Sequence, residues 1–423
     1  MKIYQLACGD ELHFYKKSLV LCFQGTRKVL STGMNQGGCR SDLEAVFNND
    51  GNPGPGMEFV MRADTYEEHL NIIAEEDLGL DPEKCSGMCT AASMENVSIQ
   101  AMEGDFFTVT AIVTGGIQAN GGRIGDPACY SESGGDEAND THEKLGTINI
   151  MLHIDANLPD GTLVKALASC VEAKVAAIQE LLAPSRYSNG LATGSGTDSV
   201  ILICNPESRV YLTDAGHHSQ LGEFIGKTVK KAVKEALYRQ SGLGPEFQHD
   251  ILRRMDRFGV TQDTLWRVYC EVNSKPDGEA GSKADNKAGS KVDNKADNKA
   301  GSEAAGKSTD NKKMMPRFVF QDRLDVLKRE DMLVTYTSLF AHLLDQVEWG
   351  LLKPEEAWKA GKQILVLAGL EKDEQVLEWN KSESGKRKPE KTSEKITVPW
   401  MVERYMKGVI ERLEITSTHP SAQ

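Results

Sequence analysis

The stretch Gly190-Leu-Ala-Thr-Gly-Ser-Gly-Thr-Asp-Ser-Val200 lies between a strongly helical segment and a short apolar segment that is typical of a strand. Its glycines allow the backbone to come close to a ligand, and its hydroxyl groups and Asp198 could contact a saccharide, a phosphate or an amide. Loops of this composition are also common as plain tight turns. The choice between a turn and a binding loop therefore depends on the segments around it.

Helical and strand-like segments alternate on both sides of this loop. The periodicity predicts helices over residues 65–80, 162–182 and 219–239, with Ser219 as the N-cap of the third. Strands are predicted at 18–31, 106–115, 146–155, 199–204 and 209–213. Two hairpins are expected, one joining 18–23 to 28–31 across Gln24–Thr26 and one joining 199–204 to 209–213. This order indicates an α+β fold, with a mixed or largely antiparallel sheet packed by helices.

Composition divides the 423-residue chain into three parts. Residues 1–272 are predicted to form the α+β domain. Residues 273–315 repeat Lys-Ala-Asp-Asn-Lys-Ala-Gly-Ser with almost no large apolar residue, which predicts a disordered linker. Residues 316–423 have amphipathic helical patterns and are expected to form a small helical extension of unknown role. A homo-oligomeric or partner contact through this extension is one interpretation.

The charge and the apolar segments restrict the class of protein. A formal net charge of −13 argues against a nucleic-acid surface, because phosphate binding needs clustered basic residues. Neutral or cationic small substrates suit this charge better. No apolar run reaches the roughly 18 residues of a membrane span, and the first residues become polar too soon for a signal peptide. A cytoplasmic protein without membrane insertion is therefore expected.

Cysteine spacing gives no sign of a metal site. The nine cysteines are scattered along the chain. Cys85 and Cys89 form a Cys-x3-Cys pair, but no Cys/His pair at ligand spacing accompanies them. No metal ligand is predicted from this pattern.

A lysine within an apolar helix face is the clearest physical anomaly. Lys174 falls among the apolar positions of the 162–182 helix, whereas Glu172 projects from the opposite side. A buried lysine is costly unless a carboxylate or a ligand meets it, and Asp198 or Glu223 could serve. Snorkelling of the side chain to solvent is the alternative.

Further polar candidates lie on a second glycine-rich loop and on a strand. Asn120 and Asp126 belong to the loop Gly115–Asp126 and could bind substrate, although both residue types also form turns. The strand 146–155 carries Asn149 and His153 on one face, where an amide and an imidazole could orient a substrate or exchange protons. A structural role is favoured for His153.

Two histidines precede the helix that begins after Ser219. His217 and His218 lie where the helix dipole disfavours an imidazolium ion, so a neutral imidazole could act there as a general base. Paired histidines at a helix start also occur without a catalytic role. The sequence alone leaves both readings open.

Several of these segments, taken in order, resemble the adenosylcobinamide amidohydrolase (CbiZ-type) family. They are Ser86-Gly-Met-Cys-Thr-Ala-Ala, residues 114–126, Gly146-Thr-Ile-Asn-Ile, Glu172-Ala-Lys, Ala192-Thr-Gly-Ser-Gly-Thr-Asp-Ser and Gly216-His-His-Ser-Gln-Leu-Gly-Glu-Phe-Ile-Gly. The resemblance covers residues 15–240 and excludes the linker and the C-terminal part. It implies hydrolysis of the amide that joins aminopropanol to the corrin ring of adenosylcobinamide. The product, adenosylcobyric acid, would serve corrinoid salvage and, where complete cobamides are also cleaved, cobamide remodelling.

The resemblance and the residue patterns together define a candidate site. His218, Asp198, Lys174 and Glu172 are the candidate catalytic residues. The candidate substrate-binding residues are Asn120, Asp126, Asn149, Thr193, Ser195, Thr197 and Glu223. The expected partner is a small-molecule corrinoid, and no cofactor is expected because the cobalt arrives with the substrate.

Some positions depart from the family pattern. An acidic insert around Gly134–Asn139 lengthens the loop after Asp126, and His153 stands where an apolar strand residue is expected. Ser195 replaces an expected threonine and keeps the hydroxyl group. His217 occupies a variable position, so His218 is the better candidate of the pair.

Amide hydrolysis needs a nucleophile, a proton for the leaving amine and donors to the oxyanion. In the leading hypothesis water attacks, His218 is the general base and the Thr193–Thr197 amides bind the oxyanion. Asp198 would orient His218 or the leaving amine. The competing hypothesis makes Thr193, Ser195 or Thr197 an acylated nucleophile.

Two other functions are consistent with the same residues. One is a corrinoid-binding or trafficking protein without catalysis, and the other is an amidase of the same fold that acts on another amide.

Overall fold

The computed structural model describes residues 1–54, 57, 59–128, 146–274, 314–372 and 395–415. Residues 275–313 of the predicted linker and residues 129–145, which contain the acidic insert, lie outside the described residues. The chain divides into two compact units, Met1–Phe258 and Gly259–Gln423. Within the described ranges, no helix is both long and apolar enough to cross a bilayer.

The first unit is built on two sheets. The five-stranded sheet has the order β1 (Lys2–Gln5), β2 (Glu11–Tyr15), β3 (Ser18–Cys22), β6 (Ala45–Asp50) and β7 (Cys85–Thr90). The six-stranded sheet has the order β5 (Gly38–Arg40), β4 (Lys28–Ser31), β11 (Ser199–Cys204), β10 (Thr147–Ile154), β9 (Thr108–Gly116) and β8 (Ser98–Glu103). Each sheet has one parallel pair, β6 with β7 and β10 with β11, and is otherwise antiparallel. The predicted α+β class with mixed sheets is confirmed.

Helices cover the outer faces of the two stacked sheets. Helix α1 (Tyr66–Ile72), which continues as a π-helical segment over Ile73–Leu78, packs on the five-stranded sheet. Helices α2 (Asp160–Glu180) and α3 (Gln220–Ser241) pack on the six-stranded sheet. A third apolar core lies between the sheets. Four layers result, so the central strands are buried on both faces.

Strand β10 shows how the alternation of residues distributes side chains between these layers. Ile150 and Leu152 belong to the core shared with the helices, whereas Met151 belongs to the core between the sheets. The face that carries Asn149 and His153 is therefore directed at the other sheet. These polar groups are fully enclosed, at 1% and 2% exposure.

The first predicted hairpin is wrong. Strands β3 and β4 do not pair with each other; β3 lies between β2 and β6, and β4 lies between β11 and β5. The connection between them crosses from one sheet to the other, where Gln24 N–H and the Arg27 guanidinium bind the buried carboxylate of Asp10. A short glycine-containing turn signals a change of direction but does not specify the pairing partner.

The second predicted hairpin is also wrong. Both edges of β11 are already occupied, by β10 in parallel and by β4 in antiparallel orientation. Residues 209–213 therefore cannot fold back onto β11, and Tyr211 instead forms an isolated parallel bridge with Asn157. The chain from β10 through α2 to β11 is a parallel β-α-β connection, which the sequence did not predict.

Short helices end the first unit, and the second unit is helical. The first unit closes with α4 (Pro245–Gln248) and α5 (Ile251–Met255). The described helices of the second unit are α6 (Gln262–Ser274), α7 (Arg317–Leu327), α8 (Asp331–Glu348), α9 (Pro354–Leu367) and α10 (Val398–Ile415). The Trp266 ring of α6 packs against Phe320 of α7 at 5.2 Å between centroids. The compact units thus divide before α6, whereas the predicted boundary at residue 272 lies near its end.

Candidate active site

The two glycine-rich loops meet at the end of the six-stranded sheet where β10 and β11 begin. Gly122 and Gly194 form an antiparallel bridge, in which Gly122 N–H donates to Gly194 O at 2.9 Å. Thr193 N–H donates to Gly122 O at 2.8 Å. The Thr193 hydroxyl accepts from Ile124 N–H at 2.9 Å. Hydrogen bonds therefore join the two loops, although Gly122 and Gly194 are 72 positions apart in the sequence.

A buried ion pair lies beneath this loop pair. Lys174 Nζ lies 2.5 Å from Asp198 Oδ2, and the two side chains are only 10% and 8% exposed. The prediction that a carboxylate meets Lys174 is confirmed, with Asp198 rather than Glu223 as the partner. The snorkelling alternative is wrong, because the ammonium group ends inside the protein.

Asp198 accepts hydrogen bonds at both carboxylate oxygens. Besides Lys174, Oδ2 accepts from Ser195 N–H at 3.0 Å. Oδ1 accepts from Ile148 N–H at 2.9 Å and from the Ser195 hydroxyl at 2.6 Å. The carboxylate therefore ties α2, the start of β10 and the loop together. Since its acceptor positions are occupied, it does not orient His218 in this structure.

The backbone of Gly194 lies directly against the buried ion pair, so a side chain here would displace it. A Cβ atom at this position would lie 2.3 Å from Asp198 Oδ2 and 2.9 Å from Lys174 Nζ. A Cβ on Gly196, by contrast, would meet nothing within 4 Å. The close approach of the backbone to the ion pair explains the first of these glycines, and no steric requirement explains the second.

Hydroxyl and amide side chains converge on the carbonyl of Gly146. Thr197 Oγ1 donates to Gly146 O at 3.0 Å and lies 2.5 Å from Thr147 Oγ1. Asn120 Nδ2 donates to the same carbonyl at 2.6 Å. Asn120 Oδ1 is buried and has no hydrogen-bond partner among the described residues. A buried acceptor without a partner is costly, so this oxygen is a position at which a ligand donor would be favourable.

Most amides of the predicted oxyanion site are already bonded. Thr193 and Gly194 N–H donate to Gly122 O, Ser195 N–H to Asp198, and Thr197 N–H to the Ser195 hydroxyl. Within the part of the chain that the structure describes, Gly196 N–H is the amide of this group without a protein acceptor. Gly196 is also exposed, at the tip of the loop.

Asp126 makes hydrogen bonds within the loop region, and Asn149 makes a hydrogen bond between the two sheets. Asp126 Oδ2 accepts from Ser185 Oγ at 2.6 Å and from Arg123 N–H at 2.9 Å. Burial acts to raise the pKa of Asp126, but these hydrogen bonds outweigh it and the pKa is lowered. Asn149 Nδ2 donates to Asn48 Oδ1 across the sheets at 2.9 Å, which leaves the buried Asn149 Oδ1 without a partner among the described residues.

The predicted residues near the start of α3 do not join this cluster. His217 Nε2 lies 2.8 Å from Glu172, and both side chains are exposed. Glu223 forms an exposed pair with Lys227 at 2.5 Å. His218 is exposed and makes no hydrogen bond or ion pair with any described residue. The predicted N-cap is confirmed, because the Ser219 hydroxyl accepts from Gly222 N–H at 3.0 Å.

A cavity of about 530 Å³ lies on the outer flank of the loop pair. Its wall includes residues 117–119 and 183–184, which adjoin the two loops, and Phe247, Gln248 and Arg253. Arg253 lies over the Phe247 ring at 4.1 Å from the centroid. The buried Gln248 Oε1 has no partner among the described residues. The cavity wall is mixed, because Arg186 and Asp256 line it together with the apolar residues.

The opposite end of β10 holds a second buried polar cluster, around His153. His153 Nε2 lies 3.4 Å from both Asp10 Oδ2 and Cys8 Sγ. Burial acts to lower the pKa of His153, but the hydrogen bonds to Asp10 and Cys8 outweigh it and raise the pKa to about 9. Burial acts to raise the pKa of Asp10, but hydrogen bonds from His153 and Arg27 outweigh it and lower the pKa to about 2. His153 thus lies in the protein interior, in agreement with the structural role favoured from the sequence.

Comparison with known proteins gives a consistent set of relatives. Residues 4–245 match the profile of a family described as adenosylcobinamide amidohydrolase. A Methanosarcina mazei protein named adenosylcobinamide amidohydrolase is 27% identical over 234 residues, which cover 53% of this chain and 98% of that protein. An uncharacterized protein of Methanocaldococcus jannaschii is 34% identical over 232 residues, which cover 53% of this chain and 87% of that protein.

A solved structure from Pyrococcus horikoshii OT3 was also matched. It is 12% identical, with coverage of 54% of this chain and 78% of that chain, and its TM-score is 0.27. A score this low supports no inference about the fold.

Proposed function

Since this chain belongs to the adenosylcobinamide amidohydrolase (CbiZ) family, we propose that it hydrolyses the amide joining aminopropanol to the corrin ring of adenosylcobinamide. Complete cobamides are a second proposed substrate, and the products would serve corrinoid salvage and cobamide remodelling. The observation that carries the proposal is the family match over residues 4–245, which falls within the first unit. The bonded loop pair and its buried ion pair lie within the same residues.

The Lys174–Asp198 pair acts as a positioning element in this proposal. It lies beneath the loop and is almost fully buried, so a bulky corrinoid meets the loop tip before it meets either charge. Ser195 and Ile148 are held by the same carboxylate. The pair therefore fixes the backbone around Gly196, whose amide is available to stabilise an oxyanion.

Water remains the proposed nucleophile. Of the three candidate hydroxyls, that of Ser195 donates to a carboxylate and that of Thr197 donates to a backbone carbonyl. The Thr193 hydroxyl accepts from Ile124 N–H. Asp198, the carboxylate partner of Ser195, already accepts three further hydrogen bonds, so its acceptor positions are occupied. His218 is retained as the proposed general base because its ring nitrogens are not engaged by any described residue. Since His218 does not join the loop cluster, the bound corrinoid would have to extend from the loop pair to the start of α3.

The water and acyl-enzyme routes differ in what is bound to the protein during turnover. In the water route the attacking oxygen forms the new C–O bond, the C–N bond breaks and the proton passes through His218 to the leaving amine. In the acyl-enzyme route the corrinoid is transiently esterified to Ser195, Thr193 or Thr197. Rapid acid quench followed by intact-protein mass spectrometry separates them: an unchanged mass throughout turnover supports water, and a corrinoid adduct contradicts it.

We also propose that the chemistry is confined to the first unit and needs no resident cofactor, with the cobalt supplied by the corrinoid. The second unit would then provide a contact for a partner or a second copy of the chain. A protein ending at Phe258 keeps every described residue of the candidate site. It should retain turnover of adenosylcobinamide, and loss of turnover by a folded truncation would contradict this assignment.

A panel of corrinoids tests the substrate class. Adenosylcobinamide, its non-adenosylated form and a complete cobamide are incubated with the full chain, and products are identified by mass spectrometry. Release of 1-amino-2-propanol from adenosylcobinamide supports the proposal. Tight binding without release would indicate a corrinoid-binding protein, and absence of both would contradict a corrinoid substrate and leave an amidase of another amide as the alternative.

A further inference from the structure

The buried cluster at the far end of β10 brings three metal-ligand side chains together. Cys8 and Asp10 are supplied by the tight turn between β1 and β2, where Leu6 N–H donates to Asp10 O at 2.9 Å. His153 is supplied by β10 of the other sheet. One ligand atom from each of the three lies within 4.8 Å of the other two. Asp10 and His153 are 0% and 2% exposed, whereas Cys8 is half-buried.

Two of the three separations match those between the ligands of one tetrahedral ion. Zinc binds thiolate sulfur at about 2.3 Å and nitrogen or oxygen at about 2.0–2.2 Å, so neighbouring ligand atoms lie about 3.3–3.6 Å apart. Cys8 Sγ and Asp10 Oδ2 each lie 3.4 Å from His153 Nε2. These two separations fit one bound ion, and the third, between Cys8 Sγ and the Asp10 carboxylate, is within 4.8 Å.

Both neighbours face the same ring nitrogen of His153. In a Cys–His–Asp catalytic triad, the thiol and the carboxylate bind opposite ring nitrogens. One nitrogen can then take the proton of the thiol while the carboxylate holds the N–H of the other. Here Cys8 and Asp10 converge on Nε2. One N–H proton cannot be donated fully to two acceptors, whereas one metal ion can be bound by all three atoms.

The surrounding residues leave one acceptor position of Asp10 directed at this point. Oδ1 accepts from Gln24 N–H and from Arg27, each at 2.8 Å, which occupies both of its lone pairs. Oδ2 accepts from Arg27 Nε at 2.8 Å and keeps its second lone pair, on the side of His153. Arg27 thus holds the carboxylate in place, as residues behind metal ligands commonly do.

The charges at the ligand positions can balance a divalent cation. Arg27 binds Asp10 and also interacts with Cys8, whereas Glu207, at 3.6 Å from Arg27, is 56% exposed and lies in contact with solvent. For a metal ion to bind, His153 would have to be neutral and Cys8 a thiolate, as for metal ligands in general. Asp10 and Cys8 then supply two negative charges at the ligand positions, which a divalent ion neutralises.

We propose that Cys8, Asp10 and His153 form a binding site for a borderline divalent transition-metal ion of the zinc class. Mixed sulfur, nitrogen and oxygen ligands favour zinc or cobalt over magnesium or calcium. The half-buried Cys8 side leaves the fourth position to water. Because one ligand pair comes from the β1–β2 turn and the third from β10, the ion would cross-link the two stacked sheets.

This site is separate from the loop pair. Ile148 N–H binds Asp198 at one end of β10, and His153 lies five residues further along the strand. At roughly 3.3 Å per residue, the two sites are about 17 Å apart. The proposed ion is therefore assigned a structural role in the first unit rather than a role in amide hydrolysis.

Cobalt(II) titration of the chelator-treated full chain tests the proposal. We expect uptake of about one equivalent, with a thiolate-to-cobalt charge-transfer band in the near ultraviolet that Zn²⁺ suppresses by displacement. In Cys8→Ser and Cys8→Ala the band should disappear and cobalt affinity should fall roughly tenfold or more. Cys39→Ser, which changes an exposed cysteine, should keep both.

Thermal unfolding provides a second readout. Zn²⁺ should raise the unfolding temperature of the wild-type chain and of Cys39→Ser but not of Cys8→Ser, because only a folded-state site stabilises by ligand binding. A wild-type chain that takes up no cobalt, or a band that survives both Cys8 substitutions, would overturn the proposal. In the first case the cluster holds only a proton between His153 and Asp10. Because no corrinoid is present, either outcome leaves the proposed hydrolysis unaffected.

Discussion

Replacing Lys174 by methionine removes the cation beneath the loop pair and keeps a side chain of similar length. Breaking a buried pair from one side costs about 3–5 kcal/mol when the remaining charge is left uncompensated. Here Asp198 keeps the hydrogen bonds from Ile148 N–H and from the amide and hydroxyl of Ser195. We therefore expect a loss of about 2–3 kcal/mol in the free energy of unfolding of the first unit.

Lys165→Met is the matched control, since the same helix carries a second lysine–aspartate pair with the same separation. Lys165 Nζ also lies 2.5 Å from its partner, Asp214, but the side chains are 54% and 52% exposed. Water and salt screen such a pair, so this substitution should leave stability unchanged within error. Burial is the variable that separates the two substitutions.

Guanidinium unfolding followed by far-ultraviolet circular dichroism measures the difference. All five tryptophans, at 266, 349, 358, 379 and 400, lie beyond Phe258, so tryptophan fluorescence reports the second unit while circular dichroism reports both. Lys174→Met should lower the midpoint of the circular-dichroism transition assigned to the first unit. Equal midpoints for Lys174→Met and Lys165→Met would refute the reasoning, because the buried pair would then contribute no more than the exposed one.

Three further outcomes follow from the same geometry. Gly194→Ala should reduce stability and turnover, because the Cβ atom of the new alanine would press against Asp198 Oδ2. Gly196→Ala should fold normally, because its Cβ would meet no atom within 4 Å. Equal stabilities of the two variants would contradict the steric argument. His218→Ala should lower kcat for amide hydrolysis by about 10²-fold or more, as expected for a general base. His217→Ala removes only an exposed pair with Glu172, and similar kcat values for the two histidine variants would exclude the proposed base. Burial raises the pKa of the Cys170 thiol to about 12, so iodoacetamide should label the exposed Cys39 in the native chain long before it labels Cys170. Peptide mass spectrometry follows the two labelling rates. Comparable rates would show that the α2 core opens readily.

Local patterns were enough to predict the helices and the buried lysine. The apolar positions of α2 recur at helical spacing, so Lys174 could be placed on the inner face before its partner was known. Ser219 could be identified as a cap because its bond to Gly222 N–H is made within one helical turn. These features depend on residues close together in the chain, and a sequence displays them directly.

The pairing of strands and the contacts between residues far apart in the chain could not be predicted in the same way. The turn at Gln24–Thr26 resembles a hairpin turn, but the partner of each adjoining strand is decided by which sheet edges are free. Cys8 and His153 are 145 residues apart, and no spacing rule connects them. Asp198 accepts hydrogen bonds from Ser195 and Ile148, which leaves it unavailable to His218. These bonds likewise depend on the tertiary structure.

The stoichiometry of product release from adenosylcobinamide tests the central claim most directly. The full chain is incubated with the purified substrate, and adenosylcobyric acid and 1-amino-2-propanol are quantified over time by liquid chromatography and mass spectrometry. The account predicts that the two products accumulate in a 1:1 ratio with repeated turnover, in proportion to enzyme concentration. Recovery of the substrate intact, with no free amino alcohol above a protein-free control, would contradict it.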